Sequence, residues 1–516
     1  MEIALGNIQG NVFGGFNKDF QDFVFLKFTS RNAGRAWIKE ISDDGNGYGV
    51  AVSSSKAVLQ FNAQFKALKA EGKKPELFLE VSWTNLSISC KGLVALGVTD
   101  ADVLSFSDAF REGMAARDTL IGDVGTSAPS EWLPPFKDND VHAVLAVAAD
   151  SVAMLKWRLG NIRAGSLFSA GVIELGTVAG RTRQDLPNVK PSQVGHEHFG
   201  FKDGVSQPGI RGIDLPDDPV GNPDQGHPGQ DLLWPGEFVL GYPTQIPHAE
   251  DPEHDGPNRN PGHPFATAPA WATDGSYLVF RRLAQHVPEF HQHIDALTAA
   301  AGHGMTTELM GAKLVGRYAS GCPVEARKFQ PMSSIPYQPS PFDPESVRAG
   351  QADDDTLNNN FEFGNDPIGT VCPLPAHIRK AYPRDEITLP VAKDSESETQ
   401  THRLLRRGIP FGGSVGAAEG GGPNDPRGLV FQCYQKSIEG QFEFVQRSWV
   451  NTATFPPGSP SGTPGEDPII AQSDRGPFDI EAGKQITVQH FVQTTGGEYF
   501  FSPSIAALQQ LGAGTI

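Results

Sequence analysis

The chain has 516 residues, a length at which one hydrophobic core gives way to two domains of about 200 to 300 residues each. Its formal net charge of -18, from 42 basic and 60 acidic residues, argues against nucleic acid and anionic membranes as partners and in favour of cations. No apolar run approaches the roughly 20 residues of a membrane helix, and Cys90, Cys322, Cys372 and Cys433 form no CxxC pair, which argues against a zinc ribbon, an iron–sulfur cluster or a disulfide scaffold.

In chain order, "MEIALGNIQGNVFGGF" lacks the basic segment, apolar stretch and cleavage site of a signal peptide, so the chain is either intracellular or a mature secreted form. The acid excess favours the extracellular reading, and the Asn85-Leu86-Ser87 sequon would permit glycosylation there. "DFVFLKF" at 22–28 reads as a buried strand, "AGRAWIKEI" and "AVLQFNAQFKALKAEG" as helices, and "ELFLEVSW" as a second strand. "DVHAVLAVAAD", "SVAMLKWRLGNI" and "AGVIELGTVAG" then read as strand, helix and strand. Repeated strand-then-helix order predicts an α+β domain of ferredoxin-like type over residues 1–185.

Residues 205–275 are rich in Gly, Pro, Asp and His and read as a long irregular surface connection. Strand and helix resume in 275–297 and again in 428–450, so residues 186–516 are expected to form a second domain of the same kind with long loop insertions.

Four segments carry candidate chemistry. "GHEHFGFKDGVSQPGIRG" at 195–212 offers His196 and His198 as metal ligands, or Asp203 as an acid–base group on a glycine-flanked turn. "VCPLPAHIRKAYPR" at 371–384 sets His377 beside Arg379, Lys380 and Arg384, a single imidazole with anion-binding neighbours that suits an iron porphyrin and its propionates. "THRLLRRGIPFGGS" at 401–414 holds Arg403, Arg406 and Arg407, which cannot all face one way on a strand or helix. In "RGLVFQCYQKSIEGQFEFVQRSWVN", Leu429 and Phe431 share a strand face, and Glu439 and Glu443 share a helix face.

Taken in order, "GFKDGVSQPGIRG", "CPLPAHIRKAYPR", "RLLRRGIPFGGS" and "GLVFQCYQKSIEGQFEFVQ" resemble the dye-decolorizing peroxidase family, and "NIQGNVFGGF" is similar to the start of its fungal members. The resemblance runs from about residue 5 to about 450 and leaves the long loops unmatched. It implies two ferredoxin-like domains of the dimeric α+β barrel superfamily. It also implies haem b held mainly by the second, and oxidation of bulky aromatic dyes and phenols by hydrogen peroxide through a ferryl intermediate. Residue by residue, it makes Asp203 the distal acid, Arg406 the distal arginine and His377 the proximal iron ligand, with Leu429 and Phe431 lining the distal pocket and Arg379 at a propionate. Ser437 stands where many members have aspartate, so the acidic partner of the imidazole is expected to be Glu439, with Glu443 as runner-up.

Electron transfer to substrates too large for the pocket is assigned to an exposed Trp449, with Tyr337 and Tyr434 as weaker sites. The acidic loop around Tyr337, with Asp343, Glu345, Asp353, Asp354 and Asp355, is a candidate Mn²⁺ site. Two alternatives remain: a haem-binding or iron-releasing protein of the same superfamily, and a non-haem metal hydrolase using His196 and His198 with His291 and His293.

Overall fold

The computed structural model describes residues 2–43, 51–74, 79–138, 140–182, 195–246, 260–302, 304–325, 358–364, 366–386, 396–413, 427–472, 476–481 and 484–516. The first four strands are β1 (Phe20–Phe28), β2 (Ser82–Ile88), β3 (Ala143–Ala149) and β4 (Val172–Arg181). Two short ones, β5 (Gly209–Ile210) and β6 (Leu232–Leu233), pair in parallel. Next come β7 (Ser276–Gln285), β8 (Leu405–Arg406), β9 (Ile409–Phe411) and β10 (Gly428–Gln435). The hairpin β11 (Pro477–Glu481) and β12 (Lys484–Thr487) precedes β13 (Val492–Ser502).

Among the described residues the main sheet runs β7-β13-β2-β3-β1-β4-β9-β10, and β10 pairs back onto β7, so the sheet closes into an antiparallel barrel. β8 joins β10 beside β9. The barrel is two halves, one per half of the chain, that meet at two narrow seams, Phe501↔Ile88 and Gly180↔Phe411. This is the duplicated ferredoxin-like arrangement expected from the repeated strand–helix order, and closure removes the edge strands that two separate sheets would expose. The boundary expected at 185/186 falls outside the described residues.

Alternation along the strands fills the barrel with aromatic rings. Phe23 and Phe25 pack edge-on against Phe280 at 5.5 and 5.1 Å, joining the two halves through one core. Each such ring contributes roughly 1.5–3 kcal/mol by leaving water. Outside the barrel, helices Arg31–Ser42, Ser55–Ala70 and Val152–Ala164 each begin at a serine whose side chain accepts a backbone N–H of the first turn.

Two expectations shift. The strand read into "ELFLEVSW" begins only at Ser82 and runs on to Ile88, because the fully buried stretch is "SWTNLSI". The 205–275 connection is irregular as expected, yet it is not confined to the surface. Leu233, Phe238, Val239 and Leu240 are buried in the main core, so this segment plugs the barrel flank.

Candidate functional site

Residues 195–204 form a tight loop in which Glu197 and Phe201 bond through Glu197 N–H and Phe201 C=O, and the Asp203 N–H donates to Gly195 C=O. Gly200 and Gly204 have φ of +99° and +74°, values that a side chain would strain. The carboxylate of Glu197 sits inside the loop and accepts the N–H groups of Phe199 and Phe201, each at 2.8 Å. Burial pushes its carboxyl upward, against the pull of Gln285 and those two N–H groups. Asp203 is thereby presented at the rim of a cavity, with its Oδ1 held by the Gly204 N–H at 2.6 Å and Arg406 Nη1 at 3.0 Å.

Strand alternation sorts the three arginines of 401–414. Arg406 turns to the cavity and also donates to Ser206 C=O at 3.0 Å. Arg407 points the opposite way and donates to the carbonyls of Asn11 and Val12 at 2.9 and 2.7 Å, fastening the N-terminal "GNVF" turn. Burial lowers Arg407 to about 10. Arg403 donates to Asp231 at 2.7 Å. On β10 the same alternation leaves Leu429 and Phe431 half-buried toward the cavity, while Val430 is buried in the core.

His377 opens the short helix His377–Ala381, which Pro373 and Pro375 lead into. Its Nδ1 donates to Asp467 Oδ2 at 2.8 Å, which leaves Nε2 as the ring nitrogen available to the cavity. Burial alone would lower the imidazole, but Asp467 outweighs it and the net direction is up. Asp467 is fully buried; burial raises its carboxyl, and His377 with the N–H groups of Ile470 and Ile469 reverses the shift to a net lowering.

This corrects the expected acidic partner. Glu439 accepts the Ala109 N–H at 2.7 Å, and Glu443 is tied to Arg117 Nη2 at 2.6 Å and the Tyr499 hydroxyl at 3.0 Å, so neither is bonded to the imidazole. Asp467 lies in "PPGSPSGTPGEDP", beyond the motifs. Its signal was an Asp-Pro-Ile-Ile turn start, common to many loops.

Three further expectations change. Arg379 is fully buried and holds Glu386 through two nitrogens, Cys372 C=O at 2.7 Å and Asp366 C=O at 2.8 Å, so its donors are spent on the protein. Two cations that do line the cavity, Arg317 and Arg384, have no carboxylate partner among the described residues, and their guanidinium groups donate to neutral oxygens of 321 and 358–361. Trp449 is only 4% exposed, stacked on Phe455 at 5.6 Å and edge-on to His402 at 5.2 Å, so it is an interior residue. Tyr434 is buried in the barrel, where its hydroxyl accepts from Asn11 and Asn85. Tyr337, Asp343, Glu345, Asp353, Asp354 and Asp355 lie outside the described residues.

Asn85 is 1% exposed within β2, so the sequon is sealed in the folded chain. His196 and His198 are buried behind the cavity wall, with His198 Nε2 on Phe411 C=O at 2.8 Å. His291 and His293 sit on the helix Val287–Ala301. Among the described residues no three His, Cys, Asp or Glu side chains gather as a metal site, so the fold does not bring His196, His198, His291 and His293 together as ligands.

One cavity of about 260 Å³ thus collects His377, Asp203, Arg406, Leu429 and Phe431, all drawn from residues 203–431. The family model described as the DyP dimeric alpha+beta barrel domain matches residues 7–184. The "Dye-decolorizing peroxidase" of Mycena epipterygia is 32% identical over 84% of this chain and 76% of its own length. The structure of an ancestral D-type dye decolorizing peroxidase superposes with a TM-score of 0.76 at 32% identity, covering 99% of this chain and 100% of that one. A dye-decolorizing peroxidase in complex with 2,6-dimethoxyphenol superposes at 0.75 with 29% identity, over 99% of this chain and 100% of that one. With its barrel, its ordered motifs and these relatives agreeing, the chain belongs to the dye-decolorizing peroxidase family.

Proposed function

We propose that this chain is a haem peroxidase that uses hydrogen peroxide to oxidise aromatic dyes and phenols. The observation that carries the reading is the meeting, in one cavity, of a carboxylate-oriented imidazole with an Asp–Arg pair.

The donor set fits haem b. Among the described residues no three metal-ligating side chains gather at His377, which makes it a poor site for a bare metal ion and suits an iron whose other donors come with the macrocycle. Arg317 and Arg384, buried cations that among the described residues bond to neutral oxygens, suit the propionates. Haem, when bound, supplies the iron that takes up peroxide and stores the oxidising equivalents.

The chain's residues do the rest. Asp467 fixes the His377 tautomer with the proton on Nδ1 and makes Nε2 a stronger donor. Asp203 Oδ1 is engaged by Gly204 and Arg406, which leaves Oδ2 to take the proton from the inner peroxide oxygen and return it to the outer one. Arg406, always charged, stabilises the negative charge that develops as the O–O bond parts. Leu429 and Phe431 narrow the space above, which favours peroxide over dyes. Trp449 is an interior relay in this reading, reaching the cavity through His402 rather than meeting dyes at the surface.

Mn²⁺ oxidation at Glu345, Asp353, Asp354 and Asp355, with Tyr337 as the electron path, rests on the sequence alone, as does an extracellular working place, which rests on the acidic composition. The Asp203–Arg406 pair favours peroxidase over an iron-releasing role, because iron release needs no proton carrier for an O–O bond.

The test is peroxide-driven turnover of an anthraquinone dye at acidic pH by the haem-loaded protein, with and without Mn²⁺. Absence of a Soret band would refute every haem reading. A Soret band without turnover would refute the peroxidase and leave the iron-releasing alternative.

A further inference from the structure

Tyr382 follows the helix that carries His377, and its ring forms part of the cavity wall. Its hydroxyl donates to Asp231 Oδ2 at 2.6 Å, a buried carboxylate that also accepts from Arg403 Nη1 at 2.7 Å. The Arg403 guanidinium lies 3.7 Å from the ring centroid, and that of Arg384 lies 5.3 Å away. No part of the proton movement described above uses this tyrosine.

The arrangement has a definite redox consequence. Losing an electron turns a phenol into a strong acid, and the two cations beside the ring penalise any extra positive charge on it. The electron therefore leaves only if the proton leaves with it, and a carboxylate at hydrogen-bond distance is placed to take that proton. Burial, and after it the charge of Asp231 against the opposing pull of Arg403, keeps the resting phenol protonated well above its usual range.

We propose that Tyr382 is a redox-active residue of this peroxidase that gives one electron to the peroxide-oxidised haem while its hydroxyl proton passes to Asp231. The inference rests on the peroxidase reading. The O–H bond breaks, a neutral tyrosyl radical and a protonated Asp231 carboxyl form, and the haem is reduced by one electron. A phenol substrate then returns one electron to the tyrosyl oxygen, Asp231 gives back its proton, and the substrate's own phenolic proton goes to solvent, which restores the site. Tyr382 thereby extends the oxidising power of the haem to the cavity wall, where a phenol in the cavity can reach it.

The experiment mixes haem-loaded protein with one equivalent of hydrogen peroxide and freeze-quenches it for electron paramagnetic resonance. The parent should give a tyrosyl signal that appears more slowly in D₂O. Tyr382→Phe, which keeps the ring against Arg403, should lose more than half of that signal and leave the oxidised haem to persist longer, while its resting Soret band and its rate of first reaction with peroxide stay those of the parent. Replacement of Tyr382 by 3,5-difluorotyrosine, nearly isosteric, should add fluorine splitting to the signal, which keeps the test decisive if the Phe variant fails to fold. A parent without a tyrosyl signal, a signal unchanged in Tyr382→Phe, or one without fluorine splitting would overturn the proposal for Tyr382. A parent with no optical response to peroxide would instead refute the peroxidase reading itself.

Discussion

Replacing Asp467 by Asn tests how the imidazole proposed to hold the iron is itself held. The side chain has two jobs: Oδ1 accepts the N–H groups of Ile469 and Ile470 at 2.7 and 2.9 Å, and Oδ2 accepts His377 Nδ1–H at 2.8 Å. An amide can do only one of them. If its oxygen keeps the backbone bonds, its NH₂ faces Nδ1, and the imidazole must move its proton to Nε2, where it blocks the metal-facing nitrogen. If its oxygen keeps the imidazole, two N–H groups lose their acceptor in a fully buried place. Losing one hydrogen bond to a charged group costs about 1.5–3 kcal/mol. At 1.4 kcal/mol per decade that is about a 10- to 100-fold loss of haem affinity. Titrating haem into the apoprotein and following the Soret band measures it, and the iron–imidazole stretch by resonance Raman should move to lower frequency. Glu439→Gln, at the carboxylate that instead accepts the Ala109 N–H, should change neither reading. An Asp467→Asn protein with parental affinity and an unmoved stretch would refute the role given to this bond.

Asp203→Asn should retain haem and lose about 10²- to 10⁴-fold in the rate of reaction with peroxide, measured by stopped-flow absorbance. Trp449→Ser, at a buried aromatic cluster, should destabilise the fold by about 3–5 kcal/mol in urea unfolding. An exposed tryptophan would show almost none of that loss. Lys380 is fully buried, donates to the carbonyls of Trp449 and Thr452, and is lowered by burial to about 7. Between pH 7 and the unfolded value of 10.5 the unfolded chain binds a proton that the folded chain lacks, so this lysine makes stability rise with pH. Relative to Lys380→Met, the parent should gain about 2–3 kcal/mol in urea unfolding from pH 7 to pH 9, at up to 1.4 kcal/mol per unit. A pH-independent difference would contradict it.

Much of the site was legible because its parts are local. Glycines at 200 and 204 around Asp203, prolines before His377 and alternation along "GLVFQCYQ" each set a side chain's direction through neighbours in the chain. The misreadings share the opposite cause. Glu439 and Glu443 lie on the segment that follows β10, near His377 in the order of motifs, but their nearest donors, Ala109 and Arg117, come from the other half of the chain. Asp467 is 90 residues from His377 in a Pro/Gly-rich stretch, and only the folded loop brings it under the ring. Arg379 looked like a propionate ligand because it is charged and two residues from the histidine, yet one helical turn aims it at Glu386 and away from the cavity.

The sequence by itself set the strand–helix repeat, through the periodicity of neighbouring residues, and its four ordered motifs carried the resemblance that singled out Asp203, Arg406 and His377, which the fold brings to one cavity. The tertiary structure decided that the two repeats close into one barrel, that Trp449 and Asn85 are buried, that Asp467 holds His377, and that Asp231 receives the hydroxyl of Tyr382. Those are contacts across tens to hundreds of residues, and burial and hydrogen-bond partners at such range exist only once the chain has packed.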